Sequence, residues 1–300
     1  MIIDTEVHVL YFARWYDNNP EITPLIKHYT WHEHDGDLLI AEMDNAGVNR
    51  GFLISYDAED TRWSAEQKGY GMEDFLGGRK YTLRWVRKYP DRFIWFNTIK
   101  NPKLYDAAAL ATRDFDDGAA GMKLFPAYVS SALTDPGLLK VFEVIRDRGK
   151  TLLISFETLR PPKSYSLDEY LGQLAEVSAR FPKMKVALLH AGCGDPLKPA
   201  GQAVMELVRR FPNLYLSTSM PGEVWDDGTE YPFPNYLRRM ETLVKTVGAN
   251  RVMWATDWPW FDWTYKYEQA LNAIRRHAGF LSEREKALVL GETAAELVGL

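Results

Sequence analysis

Short, continuous apolar runs recur eight times along the chain, at Ile2–Val9, Arg50–Ser55, Phe93–Thr98, Gly121–Phe125, Thr151–Phe156, Val186–His190, Leu214–Thr218 and Arg251–Thr256. They are rich in β-branched and aromatic residues, the pattern of strands covered on both faces in a parallel sheet. Between them the apolar positions switch to helical spacing, over Leu38–Ala46, Tyr81–Tyr89, Tyr105–Phe115, Gly137–Arg148, Ser166–Phe181, Lys198–Phe211 and Pro234–Val247. Two closing helices are predicted over Tyr265–His277 and Ser282–Val298.

Punctuation agrees with this reading. Tyr89-Pro90, Phe181-Pro182 and Phe211-Pro212 each set a proline just past a helix, where it cannot continue the hydrogen-bond ladder. Ser282 with Glu285 three residues on reads as a capping box. Eightfold alternation of strand and helix means a closed (β/α)8 TIM barrel or a doubly wound sheet, and the count favours the barrel. No glycine-rich phosphate loop follows the first strand, which removes the best support for a nucleotide-binding open sheet. With 300 residues, 46% of them hydrophobic, and no linker-like stretch, one domain over 1–300 is expected.

Charge and cysteine content narrow the function classes. The formal charge of −5 and a pI near 5.8, with no basic cluster, exclude a nucleic-acid partner that depends on counterion release. No apolar stretch approaches the roughly 20 residues of a membrane span. The chain opens directly on a strand, without a charged and then apolar leader, and its single cysteine, Cys193, forms no internal disulfide. Both features lead to the expectation of a cytoplasmic protein.

In a (β/α)8 barrel the chemistry gathers where strands end at the C-terminal face. The first strand ends in Glu6 and His8, two apart and so on one side; the sixth ends in His190 and the eighth in Asp257. Two carboxylates and two imidazoles suffice to hold a divalent metal with a position left open for water or substrate.

The segments Met1–His8, Gly121–Pro126, Leu189–Gly192 and Ala255–Pro259 resemble those of the amidohydrolase superfamily. They are most similar to its branch that includes aminocarboxymuconate semialdehyde decarboxylase and γ-resorcylate decarboxylase. Leu290–Leu297 resembles the closing helix of that branch. The resemblance covers essentially the whole chain and implies a TIM barrel with Glu6, His8 and Asp257 as metal ligands. It also implies that His190 sits beside the metal and acts on substrate. Relatives carry a metal-binding histidine on strand five where this chain has Ser155. Glu157, two residues further on and on the same side, either replaces that ligand or pairs with Arg160 or Lys163 at the rim.

One divalent ion is expected, Zn, Mn or Fe, and a glutamate ligand shifts the balance toward Mn or Fe. His28, His32 and His34 lie in the loop after strand one. His32 and His34 could bring a second metal, and oxidative chemistry with it, or be ordinary loop histidines. In other branches a lysine at the position of Lys123 is carbamylated and bridges two metals; the structural reading is that Lys123 pairs with a carboxylate. Cys193 has no separate base and reads as an inert thiol. Tyr11, Phe12, Trp15 and Tyr16 after His8, and Trp254, Trp258, Trp260, Phe261 and Trp263 around Asp257, suggest a flat apolar or aromatic small-molecule substrate. Arg160, Lys123 and Trp258 are the candidate substrate contacts.

The favoured reaction is metal-dependent decarboxylation of a small aromatic or unsaturated acid, with Asp257 or His190 as proton carrier. The same residues could hydrolyse an amide, ester or lactone. A non-catalytic partner subunit is the reading outside catalysis, and a homodimer or a hetero-oligomer with a paralogue is expected.

Overall fold

The computed structural model describes residues 1–9, 34–55, 78–127, 129, 131–156, 165–219, 229–260 and 265–300. Eight parallel strands follow one another around the sheet in chain order: β1 (Ile3–Val7), β2 (Arg50–Ile54), β3 (Phe93–Thr98), β4 (Gly121–Leu124), β5 (Thr151–Ile154), β6 (Lys185–Leu188), β7 (Leu214–Thr218) and β8 (Val252–Trp254). Helices connect them: α1 (Gly36–Ala46), α2 (Arg79–Lys88), α3 (Ala107–Asp116), α4 (Pro136–Asp147), α5 (Leu167–Arg180), α6 (Pro199–Arg210) and α7 (Pro234–Val247). The ring closes just beyond β8, where Asp257 N donates to Glu6 O at 2.9 Å and His8 N to Trp258 O at 2.8 Å. This is the (β/α)8 barrel expected from the alternation.

Alternation within each strand sorts the apolar residues into two layers. Ile3, Phe52, Ile54, Ile94, Phe96, Leu153, Ala187, Leu189 and Met253 fill the barrel interior. Their neighbours in sequence, such as Leu53, Trp95, Met122, Leu152, Val186, Leu216 and Trp254, pack outward against the helices. The lower end of the interior is plugged by α10 (Thr293–Val298), whose Ala294, Ala295 and Leu297 join the inner cluster. Thr151 Oγ1 and Lys185 Nζ donate to the last carbonyls of α10, at Leu297 (3.0 Å) and Glu296 (2.6 Å). These contacts satisfy acceptors that a helix end leaves open.

Most helix limits fall within two residues of expectation, and the caps explain them. Asp35, Asp106, Asp135, Ser166 and Ser282 each accept a backbone hydrogen bond at a helix start. The closing helix departs from expectation. After α8 (Tyr267–His277), the predicted Ser282–Val298 helix is divided into α9 (Glu283–Ala287), a wide turn at Leu288–Glu292, and α10. Gly291 marks the break: its Cα lies so close to the N-terminal strand that a Cβ there would meet Met1 O at 2.1 Å. Among the described residues no helix is long and apolar enough to cross a membrane.

Candidate metal centre

Glu6 and His8 face the barrel interior because β1 carries one extra residue. Ile3 lies opposite Arg50, Asp4 opposite Gly51 and Val7 opposite Leu53, so three steps along β1 match two along β2. An uninterrupted strand would keep Ile3 and Val7 on one face. Instead Ile3 joins the inner cluster and Val7 the outer layer. This bulge reverses the facing of everything after it, and the polar pair turns inward. Asp4 faces the outer side, where it accepts from Thr256 N (3.0 Å), Thr256 Oγ1 (2.6 Å) and Tyr267 Oη (2.8 Å), and also from Glu6 N (3.2 Å). It thereby ties β1 to the residue preceding Asp257.

Two more side chains arrive on unusual backbone. Beyond β6 the residues His190, Ala191, Gly192 and Cys193 have φ of 51°, 49°, 72° and 59°, a left-handed turn that swings His190 back over the barrel mouth. Such backbone costs roughly 1–2 kcal/mol per non-glycine residue. At Gly192 a Cβ would also come within 2.8 Å of Val204 Cγ1. Asp257, with φ 58°, is held by its own N–H to Glu6 O. Strain of this kind persists where surrounding contacts over-determine it, and it clusters at functional sites.

The resulting centre is compact and buried. Glu6, His8 and Asp257 each offer one ligand atom, all within 4.8 Å of one another. His8 Nε2 lies 3.3 Å from Asp257 Oδ1 and 3.9 Å from Glu6 Oε1, and His190 Nε2 lies 3.7 Å from the same Glu6 oxygen. His8 Nδ1 is 3.0 Å from Ile54 O, an atom that can only accept, so Nδ1 carries a hydrogen and Nε2 is directed at the two carboxylates. Converging acceptors are stable around a cation, and a carboxylate–imidazole–carboxylate set of this size suits a divalent ion.

Lys123, at the inner face of β4, donates to Glu6 Oε1 at 2.8 Å, with its Nζ 4.4 Å from the Phe125 ring centroid. Pairing with a carboxylate is the structural reading the sequence suggested. Burial alone raises the pKa of Glu6, but Lys123, reinforced by His190 and His8, outweighs it and brings the pKa down to about 2. Burial also dominates at Asp4, where the four hydrogen bonds only partly oppose it and the pKa is pushed up to about 7.

These shifts have opposite signs in stability. The raised Asp4 value means its contribution is full below its ordinary pKa of 3.8 and is lost as pH rises through about 7. The Glu6 contribution is full above 4.5 and is lost as pH falls through about 2. Asp4→Asn, which mimics the protonated form, is therefore expected to flatten the fall in melting temperature between about pH 4 and pH 7. Thermal melts at closely spaced pH values check this, and parallel profiles for variant and parent would contradict it.

Other expected residues fall differently. His34 is buried but stands apart from the three-ligand group, its ring edge-on to Trp258 with centroids 5.3 Å apart. Trp258 lies in the outer layer, and Trp254 is wholly buried there with its ring edge-on to Tyr267. Trp254 is thus a core residue and forms no part of the pocket wall. Ser155, two residues past inner Leu153, faces inside, and its buried hydroxyl has no hydrogen-bond partner among the described residues. Tyr11, Phe12, Trp15, Tyr16, His28, His32, Glu157, Arg160, Lys163, Phe261 and Trp263 lie outside the described residues.

Sequence reasoning missed Ser219. Its Oγ stands 3.0 Å from Glu6 Oε2 and 2.9 Å from His190 Nδ1. The available signal was strand periodicity: Ser217 and Ser219 continue the inward face of β7.

Residues 3–300 match the family model described as Amidohydrolase. The chain belongs to the amidohydrolase family. None of the curated proteins matches it. Among solved structures, a probable 2-pyrone-4,6-dicarboxylic acid hydrolase from Acinetobacter baumannii is 18% identical with a TM-score of 0.68, over 100% of this chain and 99% of that one. The 5-carboxyvanillate decarboxylase of Novosphingobium aromaticivorans, complexed with manganese and a nitrobenzoic acid, is 16% identical with a TM-score of 0.65, over 100% and 96%. An amidohydrolase from Burkholderia multivorans with bound zinc is 14% identical with a TM-score of 0.69, over 100% and 99%. Likeness at these identities concerns the fold. Family membership makes this amidohydrolase an enzyme.

Proposed function

We propose that the chain is a metal-dependent decarboxylase of a small aromatic or unsaturated carboxylic acid, with one divalent ion held by Glu6, His8 and Asp257. The observation that carries this reading is the charge balance of the centre. Among the described residues, two buried carboxylates, Glu6 and Asp257, face one buried ammonium, Lys123. A dication added to this set leaves one net positive charge in a dry site, a match for a single substrate carboxylate. When bound, the ion would supply Lewis-acid polarisation of the substrate's oxygens.

The chain's own residues account for the remaining steps. Lys123 keeps Glu6 ionised and fixed in place. His190, with Nε2 3.7 Å from Glu6 Oε1, and Asp257, with Oδ1 3.3 Å from His8 Nε2, are the groups to which we assign the proton for the reacting carbon. Protonation of the carbon that bears the carboxylate creates the electron sink. The C–C bond then breaks, its electron pair restores the unsaturated system, and carbon dioxide leaves in exchange for the proton. The decarboxylases that share this fold, which include 2,6-dihydroxybenzoate and 5-carboxyvanillate enzymes, support the substrate class.

Hydrolysis is the competing use of the same ligands, and a hydrolase also shares the fold. A panel of hydroxybenzoates and unsaturated acids scored for carbon dioxide release, beside esters and lactones scored for hydrolysis, decides between them. We expect carbon dioxide release, reduced roughly 100-fold or more in Asp257→Asn, in the range of a lost general acid or base. Ester or lactone turnover without carbon dioxide release would replace this reading with the hydrolytic one.

A further inference from the structure

The hydroxyl of Ser219 bridges two groups of the centre, and counting protons fixes what each must be. Glu6 Oε1 accepts from the buried Lys123 ammonium at 2.8 Å, so Glu6 is the carboxylate of an ion pair and can only accept. A serine hydroxyl has one proton to give. Oγ is 3.0 Å from Glu6 Oε2, so that proton goes to the carboxylate; the hydroxyl oxygen, 2.9 Å from His190 Nδ1, is left to accept. Nδ1 of His190 must then carry a hydrogen. The opposite arrangement, with the hydroxyl donating to His190, would set an oxygen lone pair against a buried carboxylate oxygen. Ser219 is itself only 5% exposed, which leaves little water to relieve that contact.

We propose that Ser219 is a positioning residue that locks neutral His190 as the Nδ1–H tautomer, so that its Nε2 lone pair faces the metal centre. Nε2 lies 3.7 Å from Glu6 Oε1, on the side where His8 Nε2 and Asp257 Oδ1 also point. His190 therefore meets the centre as a lone-pair donor, available either to the ion or to a proton. In its neutral form it has no hydrogen to give on that face. It can act as an acid toward substrate only after taking up a proton at Nε2. The left-handed turn at 190–193 and the inward register of β7 bring the imidazole and the hydroxyl together, two independent features of the fold converging on one contact.

The tautomer assignment stands apart from the reaction proposed above, and its test needs no substrate. Protein labelled with 15N-histidine would be examined by nitrogen–proton correlation spectroscopy at alkaline pH, where imidazole is neutral. His190→Gln would identify the signals among the six histidines. For the metal-free parent we expect a protonated Nδ1 and a bare Nε2. Ser219→Ala should move His190 toward the Nε2–H form that predominates for free imidazole side chains, and Ser219→Thr should restore the parent pattern. Zn2+ affinity should fall about 10-fold or more in Ser219→Ala and recover in Ser219→Thr, the scale of a lost outer-shell contact. An Nε2–H tautomer in the parent, or an unchanged Nδ1–H tautomer in a folded Ser219→Ala, would overturn the proposal. A fall in Zn2+ affinity without a tautomer change would assign Ser219 a purely structural role and overturn it equally.

Discussion

His8→Ala is expected to cost the chain its divalent ion, with affinity down at least about 100-fold, because even outer-shell partners of a metal are worth 10–100-fold. His8 is the one imidazole in the three-ligand group, and its Nδ1–H bond to Ile54 O aims Nε2 at Asp257 and Glu6. Alanine leaves two carboxylates that one lysine must balance. The fold should survive, because Ile3, Phe52, Phe96, Leu153 and Met253 pack the interior without contribution from the mouth. Circular dichroism close to the parent's, together with lost metal binding in calorimetry, is the expected pair of results. Unchanged affinity in the folded variant would remove His8 from the proposed ligand set.

Lys123→Met is expected to unsettle the metal-free protein and to be rescued by metal. Lys123 and Glu6 are 2% and 0% exposed, and their 2.8 Å contact neutralises a carboxylate that has no water to stabilise it. Removing one partner of such a pair leaves a buried uncompensated charge and costs about 3–5 kcal/mol. In a chain of this size that is a fall in melting temperature on the order of 10 °C. Methionine keeps the length of the stem against Phe125, so lost packing contributes little. A divalent ion on Glu6 would take over the compensation, and added Zn2+ or Mn2+ should return most of the loss. Thermal melts with and without metal read this directly. An equal loss in both conditions would mean that Lys123 is needed for packing and that no cation sits beside Glu6.

The barrel was legible because each strand is covered on both faces and so reads as an unbroken apolar run, while proline and capping residues mark the helices. The residues that gather at the centre were legible by type: Glu6, His8, His190 and Asp257 are ionisable groups in otherwise apolar segments. How they reach one another was not. His190 and Asp257 lie past the last residue of their strands on left-handed backbone, where strand periodicity no longer dictates direction. The extra residue in β1 leaves no compositional mark, yet without it Glu6 would face the helices. A left-handed turn over His190, Ala191 and Cys193 contradicts local preference and is imposed by tertiary contacts. Ser219 escaped notice because a small hydroxyl on a strand is ordinary, and only its two partners give it meaning. The closing helix misled for a related reason: Gly291 is tolerated in a helical pattern, and the approach of Met1 that breaks the helix there is a long-range contact.

Metal content measures directly whether Glu6, His8 and Asp257 hold a divalent ion. Parent and His8→Ala would each be incubated with Mn2+, Zn2+ or Fe2+, freed of loose ions by gel filtration, and measured by plasma mass spectrometry. We expect about one ion per parent chain and almost none in the variant, as a three-ligand protein site requires. A parent that retains no divalent ion, or a variant that retains as much as the parent, would contradict this expectation.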